Sequence, residues 1–359
     1  MSRRLPPGPA RRPVPRTSRW TSRRISRRLT LITAAATALA LTAGCGAQVR
    51  QGPEGSAAAG YPVTVENCGQ KVTYDRAPSR PVAYDVGIIE TMFALGLREK
   101  LAGYVLGRGH SVADSPWKDD FEKAHRLAAD RPSKELILEA KADFVYAGWN
   151  YGFREGSGLT PQDLEQVGVR SYVLTESCRN GVSDRSRGVV PPLEALYTDL
   201  RNLGRIFGVS ERAEELVRRY QAQVAAVEAS IPKDRPRPKV FVYDSGTDKP
   251  FTTGRFAAAH EIITRAGGDH VFADMRDSWI QVGWESVVQA NPDIIVINDY
   301  GEQSAAEKQA FLESYAPLAN VNAVKNKRFF TLPYAALVEG PRNPAAIESF
   351  SGYLRGLPG

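Results

Sequence analysis

Between Ser210 and Pro232 the apolar side chains stand at Ala213, Leu216, Val217, Tyr220, Val224 and Val227. Steps of three and four residues put them on one face of a helix. A helix of about 20 residues spans about 30 Å. Ser210 reads as its N-cap. The proline-rich run 232–238 ends it, because proline lacks a backbone donor and clashes with the preceding turn. Elsewhere the pattern changes. Short apolar runs at 82–84, 142–147 and 171–174 predict buried strands, alternating with helical spacing near 88–95 and 161–167. Residues 61–75 alternate apolar and polar, which predicts a β-hairpin turning near 67–69. Strand and helix alternate again from Val240 to about Phe330, and a last helix is predicted near 344–354. This is the grammar of an α/β protein.

One short pattern occurs twice. Glu135, Ala140 and Asp143 precede the apolar run Phe144-Val145-Tyr146; Glu285, Ala290 and Asp293 precede Ile294-Ile295-Val296 at the same spacing, 150 positions on. Each copy predicts a short helix, a turn and a buried strand. A second pair agrees. Tyr84-Asp85-Val86-Gly87 and Tyr243-Asp244-Ser245-Gly246 each close an apolar strand, 159 positions apart. Glu90 stands six before Gly96, and Glu261 six before Gly267, 171 apart. The drift places 12 extra residues in the first strand–helix loop of the second copy and 21 before Glu135 in the first. Two copies with drifting offsets are not a solenoid. They predict two similar lobes with a cleft between them. The helix beginning at Ser210 lies between the copies, either as a rigid strut joining them or as a surface helix of the first. The expected divisions are 1–44, 45–60, 61–208 (first lobe), 209–231 (linking helix) and 232–359 (second lobe).

The net charge of +7 suggests nucleic acid until its distribution is counted. Residues 1–44 hold ten arginines and no acid; the rest has 37 basic and 40 acidic residues, a balance of −3. No nucleic-acid partner is expected. The arginines precede an apolar run of 15 residues, 29–43, shorter than the roughly 20 that span a bilayer and laid out as a targeting segment. It ends Leu41-Thr42-Ala43-Gly44-Cys45 and resembles a bacterial lipoprotein signal, although Thr42 stands where leucine is customary. That resemblance implies acylation of Cys45 and anchoring at the outer face of the cell membrane; an ordinary secretory signal is the alternative. Arg23-Arg24 and Arg27-Arg28 leave the Sec and twin-arginine export routes both open. Residues 45–60, rich in Gly, Ala, Gln and Ser, read as a flexible tether. With Cys45 set aside, Cys68 and Cys178 remain. In an oxidising exterior that even count reads as one disulfide, against two separate buried thiols.

Catalytic motifs are absent: no Gly-x-Ser-x-Gly elbow, phosphate loop or His-Glu-x-x-His occurs. His110, His125, His260 and His270 are scattered. Neither an enzyme, a cofactor nor a direct metal site is expected. Side chains at strand ends tell more, since open α/β sheets bind ligands beyond the carboxyl ends of their strands. In the first lobe the candidates are Asp85, Tyr104, Arg108, Trp149, Tyr151 and Phe153. In the second they are Tyr243, Arg255, Phe256, Trp279, Tyr300 and Arg342. Aromatic rings can wall a bulky ligand, and arginine offers a planar donor fork to carboxylate, hydroxamate-type or phosphate oxygens. The competing reading for each is core packing or a surface charge. Glu135 and Glu285 fall in the first turns of their helices, where the helix dipole favours a carboxylate; alternatively, these two acids dock a symmetric partner.

In their order and spacing, several stretches resemble the substrate-binding proteins of ABC importers for iron–siderophores and cobalamin. They are Pro62-Val63-Thr64-Val65-Glu66-Asn67-Cys68-Gly69, the run from Tyr84 to Leu97, that from Lys134 to Asp143, Gly267 to Asp274, and Trp284 to Asp293. The likeness covers 61–345. Ala142 stands where proline is usual, and Gly283 where serine is common. The resemblance implies two α/β lobes of the class III periplasmic-binding-protein type joined by one long rigid helix, with the ligand between them. It implies a monomeric receptor, tethered outside the cytoplasm, that captures an iron–siderophore and delivers it to a dimeric ABC permease. Cobalamin, haem or another bulky chelate is the alternative cargo, and a secreted lipoprotein enzyme on the same scaffold the alternative of another class. It further implies that Glu135 and Glu285 dock onto the permease.

Overall fold

The structure is a computed structural model and describes residues 60–179 and 190–357. Cys45 and the expected leader lie outside the described residues. β1 (Val63–Asn67) and β2 (Gln70–Tyr74) form the predicted hairpin, with Asn67 opposite Gln70. Next come β3 (Pro81–Tyr84), β4 (Gly103–Val105), β5 (Arg126–Ala128), β6 (Phe144–Trp149), β7 (Gly152–Phe153) and β8 (Arg170–Val173). They form a parallel sheet of order β5-β4-β3-β6-β8, with β7 on the tip of β6.

The second half repeats this plan. It contains β9 (Lys239–Tyr243), β10 (Phe251–Thr253), β11 (Asp269–His270), β12 (Trp279–Gln281), β13 (Ile294–Asp299) and β14 (Phe329–Pro333). Its parallel sheet runs β11-β9-β13-β14, while β10 and β12 pair antiparallel apart from it. The order β4-β3-β6-β8 is thus matched strand for strand, and the sequence duplication is a duplication of topology.

Both sheets are covered on both faces, which is why their strands read as unbroken apolar runs. Ala83, Phe144, Tyr146 and Tyr172 enter one cluster, while Val82, Val145, Ala147 and Val173 enter another. In the second sheet Val240, Val242, Ile294 and Val296 oppose Phe241, Tyr243, Ile295 and Ile297 in the same way.

The long helix is Ser210–Ala229, and the six apolar positions expected of it are its six buried residues. Ala213, Leu216, Val217 and Tyr220 pack in the first lobe's cluster, Val224 and Val227 in the second's. A helix not anticipated from sequence, Pro192–Ile206, precedes it. That helix starts with Leu193 in the second cluster and continues with Leu196, Leu200, Leu203 and Ile206 in the first. The chain therefore runs from one core to the other and back. Gly204 permits the close crossing: a Cβ there would lie 2.5 Å from that of Ala213. Ser210 is not the cap. The Val209 carbonyl accepts from the Ala213 amide, so Val209 holds the cap position without a side-chain bond. The last helix, Asn343–Arg355, packs Ala346, Ile347 and Phe350 into the second core. Cys68 and Cys178 are joined in a disulfide across 110 positions, fixing the hairpin turn to the segment after β8.

Candidate functional site

The carboxyl ends of the two parallel sheets meet between the lobes. From the first come Tyr84 at the end of β3, Asp85 just after it, and His110 on the loop after β4; from the second come Tyr300 after β13 and Tyr334 after β14. The Tyr300 and Tyr334 rings stack with centroids 4.5 Å apart, and the His110 imidazole lies 5.0 Å and 4.9 Å from them. The Tyr334 hydroxyl donates to Asp85 Oδ2 at 3.4 Å. Beside these groups is a cavity of about 210 Å³ lined by His110, Ser111, Asp114, Asp299, Thr331 and Tyr334, among others.

Two backbone features mark how tightly the lobes meet. Asp85 has φ 79°, a region that L-residues rarely adopt and that often marks a functional position. At Gly87 a Cβ would sit 2.2 Å from the Glu339 carbonyl oxygen, so only glycine lets the start of the helix Val86–Ala94 approach the other lobe.

The electrostatics favour neutral side chains. Burial raises the Asp85 carboxyl, and the nearby His110 only partly offsets this. Burial lowers His110, against the charge of Asp85. Burial and the Asp85 charge push the Tyr84 phenol to about 12, and the same two causes hold Tyr334 well above its usual value. At neutral pH the site thus presents phenol hydroxyls and an uncharged imidazole. His110 Nδ1 is buried and has no hydrogen-bond partner among the described residues, leaving a polar atom for a ligand to satisfy.

Beneath lies a group of buried acids. Asp199, on the helix Pro192–Ile206, accepts from Tyr146, Tyr172 and both Thr175 groups. The Glu176 amide donates to Glu339 Oε2 at 2.9 Å across the lobes. Both Glu176 carboxylate oxygens lack a partner among the described residues, and burial, then the charges of Asp85 and Asp199, raise that carboxyl to about 8.

The expected site residues divide. Asp85 and Tyr300 are in the interlobe site. Tyr151 and Trp279 share one buried cluster, Trp279 stacking on Phe251 at 5.6 Å. Arg108 stands exposed, 3.9 Å from Asp130. The other expected residues lie elsewhere. Trp149 is turned to the opposite face of the sheet, against Phe153 and beneath Arg179, in a hollow with Asn67 and Cys68. Phe153 and Tyr243 are fully buried, Tyr243 beside Trp284 and Phe311. Tyr104 packs edge-on against Phe121 and donates to its carbonyl. Arg255 and Phe256 line a separate hollow with His260 and Arg265. Arg342 is consumed by a buried bidentate pair with Glu90. Glu135 and Glu285 are both exposed in the first turns of their helices, behind Ser133 and Gly283. Sequence reasoning missed His110, Tyr84 and Tyr334. Tyr84 and Tyr334 had a usable signal, each being a tyrosine at the end of a parallel strand, as Tyr300 is.

A family model described as periplasmic binding protein matches residues 82–336. The chain belongs to the periplasmic binding protein family. It is similar to an uncharacterised ABC transporter substrate-binding lipoprotein, YvrC, of Bacillus subtilis, at 23% identity over 81% of this chain and 85% of that protein. Among solved structures, a periplasmic binding protein from Veillonella parvula matches with TM-score 0.70 and 27% identity, covering 82% of this chain and 98% of the other. An ABC-type Fe3+-hydroxamate transport system protein from Saccharomonospora viridis matches with TM-score 0.69 and 24% identity, covering 83% and 100%. This periplasmic binding protein therefore has the two-lobed class III fold. It is the substrate-binding component of an ABC transport system, working outside the cytoplasm with a permease, and is a solute binder rather than an enzyme. Among the described residues no helix is long and apolar enough to cross a membrane.

Proposed function

We propose that this protein captures an iron–siderophore of the hydroxamate class between its lobes and hands it to a dimeric permease, held at the membrane by a lipid on Cys45. The observation that carries this reading is the interlobe cluster of His110, Tyr300, Tyr334 and Asp85 beside a cavity of about 210 Å³. Stacked rings supply apolar contact, and neutral phenols supply hydrogen bonds to chelate oxygens. The Fe3+-hydroxamate transport protein of Saccharomonospora viridis has the same fold, as does a haem-binding protein of Roseiflexus, so the fold alone does not choose between these cargoes.

A flat tetrapyrrole is the second reading. It is favoured by one atom, the unpartnered Nδ1 of His110, because imidazole is an iron ligand as well as a hydrogen-bonding group. Calorimetric titration of the protein with ferrioxamine, haemin and cyanocobalamin separates the readings. Ferrioxamine is expected to bind at one equivalent, and His110→Ala and Tyr334→Ala to weaken it roughly tenfold or more. Binding of haemin alone would replace the first reading by the second; no binding of any of the three would defeat both.

A further inference from the structure

The wall of the cavity that carries His110 is fastened at its far end by a residue of the other lobe. Arg342 stands just before the helix Asn343–Arg355, which packs into the second core. It reaches into the first lobe, where Nε and Nη2 donate to the two carboxylate oxygens of Glu90 at 2.8 and 2.6 Å. Its Nη1 donates to Asp114 at 3.1 Å. The Ser115 hydroxyl donates to Glu90 Oε1 at 2.7 Å. Arg342 and Glu90 side chains are 7% and 0% exposed, Asp114 50%, so the arginine–glutamate fork is the fixed part and Asp114 its solvent edge. Asp114 lies four positions after His110, and both line the cavity.

We propose that Arg342 is a positioning residue for the ligand site: paired with Glu90, it anchors Ser115 and Asp114 and so holds the loop that presents His110 to Tyr300 and Tyr334. The inference rests on the interlobe cavity being the ligand site. A bidentate buried fork is geometrically exacting, and separating it would strand a charge in the interior. The fork therefore stays closed in the bound state. The site is completed by a contact between lobes, and neither lobe presents His110 correctly by itself.

Ser115→Ala tests this without touching the cavity lining, since Ser115 faces Glu90 and the arginine fork survives. Arg342→Lys keeps the charge but loses the fork. In both, the His110 imidazole resonance, followed by NMR in the ligand-free protein, is expected to move toward that of an exposed histidine. Affinity for whichever of ferrioxamine, haemin or cyanocobalamin binds the parent should fall roughly three- to tenfold. Ser115→Thr should restore both. A His110 resonance unchanged in Ser115→Ala and Arg342→Lys would overturn the proposal. The resonance is read without ligand, so failure of all three probes to bind the parent would count against the ligand reading alone.

Discussion

Asp143 and Asp293 hold the same station in the two lobes. The Asp143 carboxylate accepts from the Ser79 amide at 2.7 Å, the Ser79 hydroxyl at 2.7 Å and the Arg80 amide at 2.8 Å. Asp293 accepts from the Lys239 amide at 2.9 Å and the Asn322 side-chain amide at 3.1 Å. Each thus ties the start of one buried strand to the start of the central strand beside it, β6 to β3 and β13 to β9. Two residues earlier, Lys141 and Asn291 turn the chain out of its helix with φ 50° and 47°.

These carboxylates should act as latches. Hydrogen bonds to charged groups contribute about 1.5–3 kcal/mol, so Asp143→Ala should destabilise by about that much, read as a lower midpoint in urea at unchanged slope. Asp293→Ala should cost somewhat less, having one fewer backbone donor. Burial works against the Asp143 carboxylate, but the Ser79 and Arg80 bonds outweigh it and lower its pKa. Its contribution is therefore present above the unfolded value and lost as pH falls through the folded one. Equal stability of parent and variant at neutral pH would count against the latch.

The same pair shows what can be read from sequence. A repeat of glutamate, alanine, aspartate and apolar run specifies a local unit, and local units are set by residues close in the chain. The helix Ser210–Ala229 was legible for the same reason. Pro192–Ile206 was not, although Leu193, Leu196, Leu200 and Leu203 have helical spacing. Pro191-Pro192 looks like a break, and Asp199 and Asn202 interrupt the apolar stripe because they serve Tyr146 and Tyr172. The site was legible only as a set of strand ends. Period-two alternation along β6 makes Tyr146 and Trp149 face opposite ways. That His110 meets Tyr334 depends on how two lobes close, which no local pattern records.

The buried carboxyls should make stability fall as pH rises above neutrality. Glu176 is raised to about 8 by burial and then by Asp85 and Asp199; burial is also the main cause raising Glu339 and Asp199. A raised carboxyl stabilises fully below its unfolded value, and that contribution is lost as pH rises through the folded value. The histidines act in the opposite direction. Burial depresses His110 and His260, and takes His270 to about 3, so their contribution is lost as pH falls below about 6.5. The window from about pH 6.5 to 8 therefore isolates the carboxyls. Each proton retained there by the folded state contributes a slope of about 1.4 kcal/mol per pH unit. Glu176→Gln should flatten the slope by up to one proton's worth in urea titrations across that window, and an unaltered slope would show that Glu176 is ionised throughout.

The disulfide closes a loop of 110 residues. Replacing Cys68 and Cys178 together by alanine should lower stability by about 2–4 kcal/mol. Cys178 directly follows the 175–177 turn that holds Asp199 and Glu339, so the loss should also loosen the acids. Hydrogen exchange at the Thr175 and Glu176 amides is expected to quicken more than at the β13 amides. Uniform quickening throughout would mean that the bond acts only on the unfolded chain.

Glu135 and Glu285 are the pair expected to meet the permease. Both are exposed at helix starts, where the dipole alone accounts for a carboxylate. At Glu135 the pKa is lowered by its own backbone amide and then by Ser133, which fits that bland role. The dipole, however, gives no reason for a partner to notice the residue, and this separates the two explanations. If the pair docks the permease, Glu135→Ala with Glu285→Ala should reduce uptake roughly tenfold or more, since truncating one side of a close charge pair weakens association strongly. Ligand affinity measured on the isolated protein should stay as in the parent, because neither residue borders the interlobe cavity. Charge reversal to lysine should impair uptake further, and the deficit should depend on ionic strength in a reconstituted transport assay. Normal uptake by the double alanine variant would leave the two glutamates as helix-start residues and nothing more.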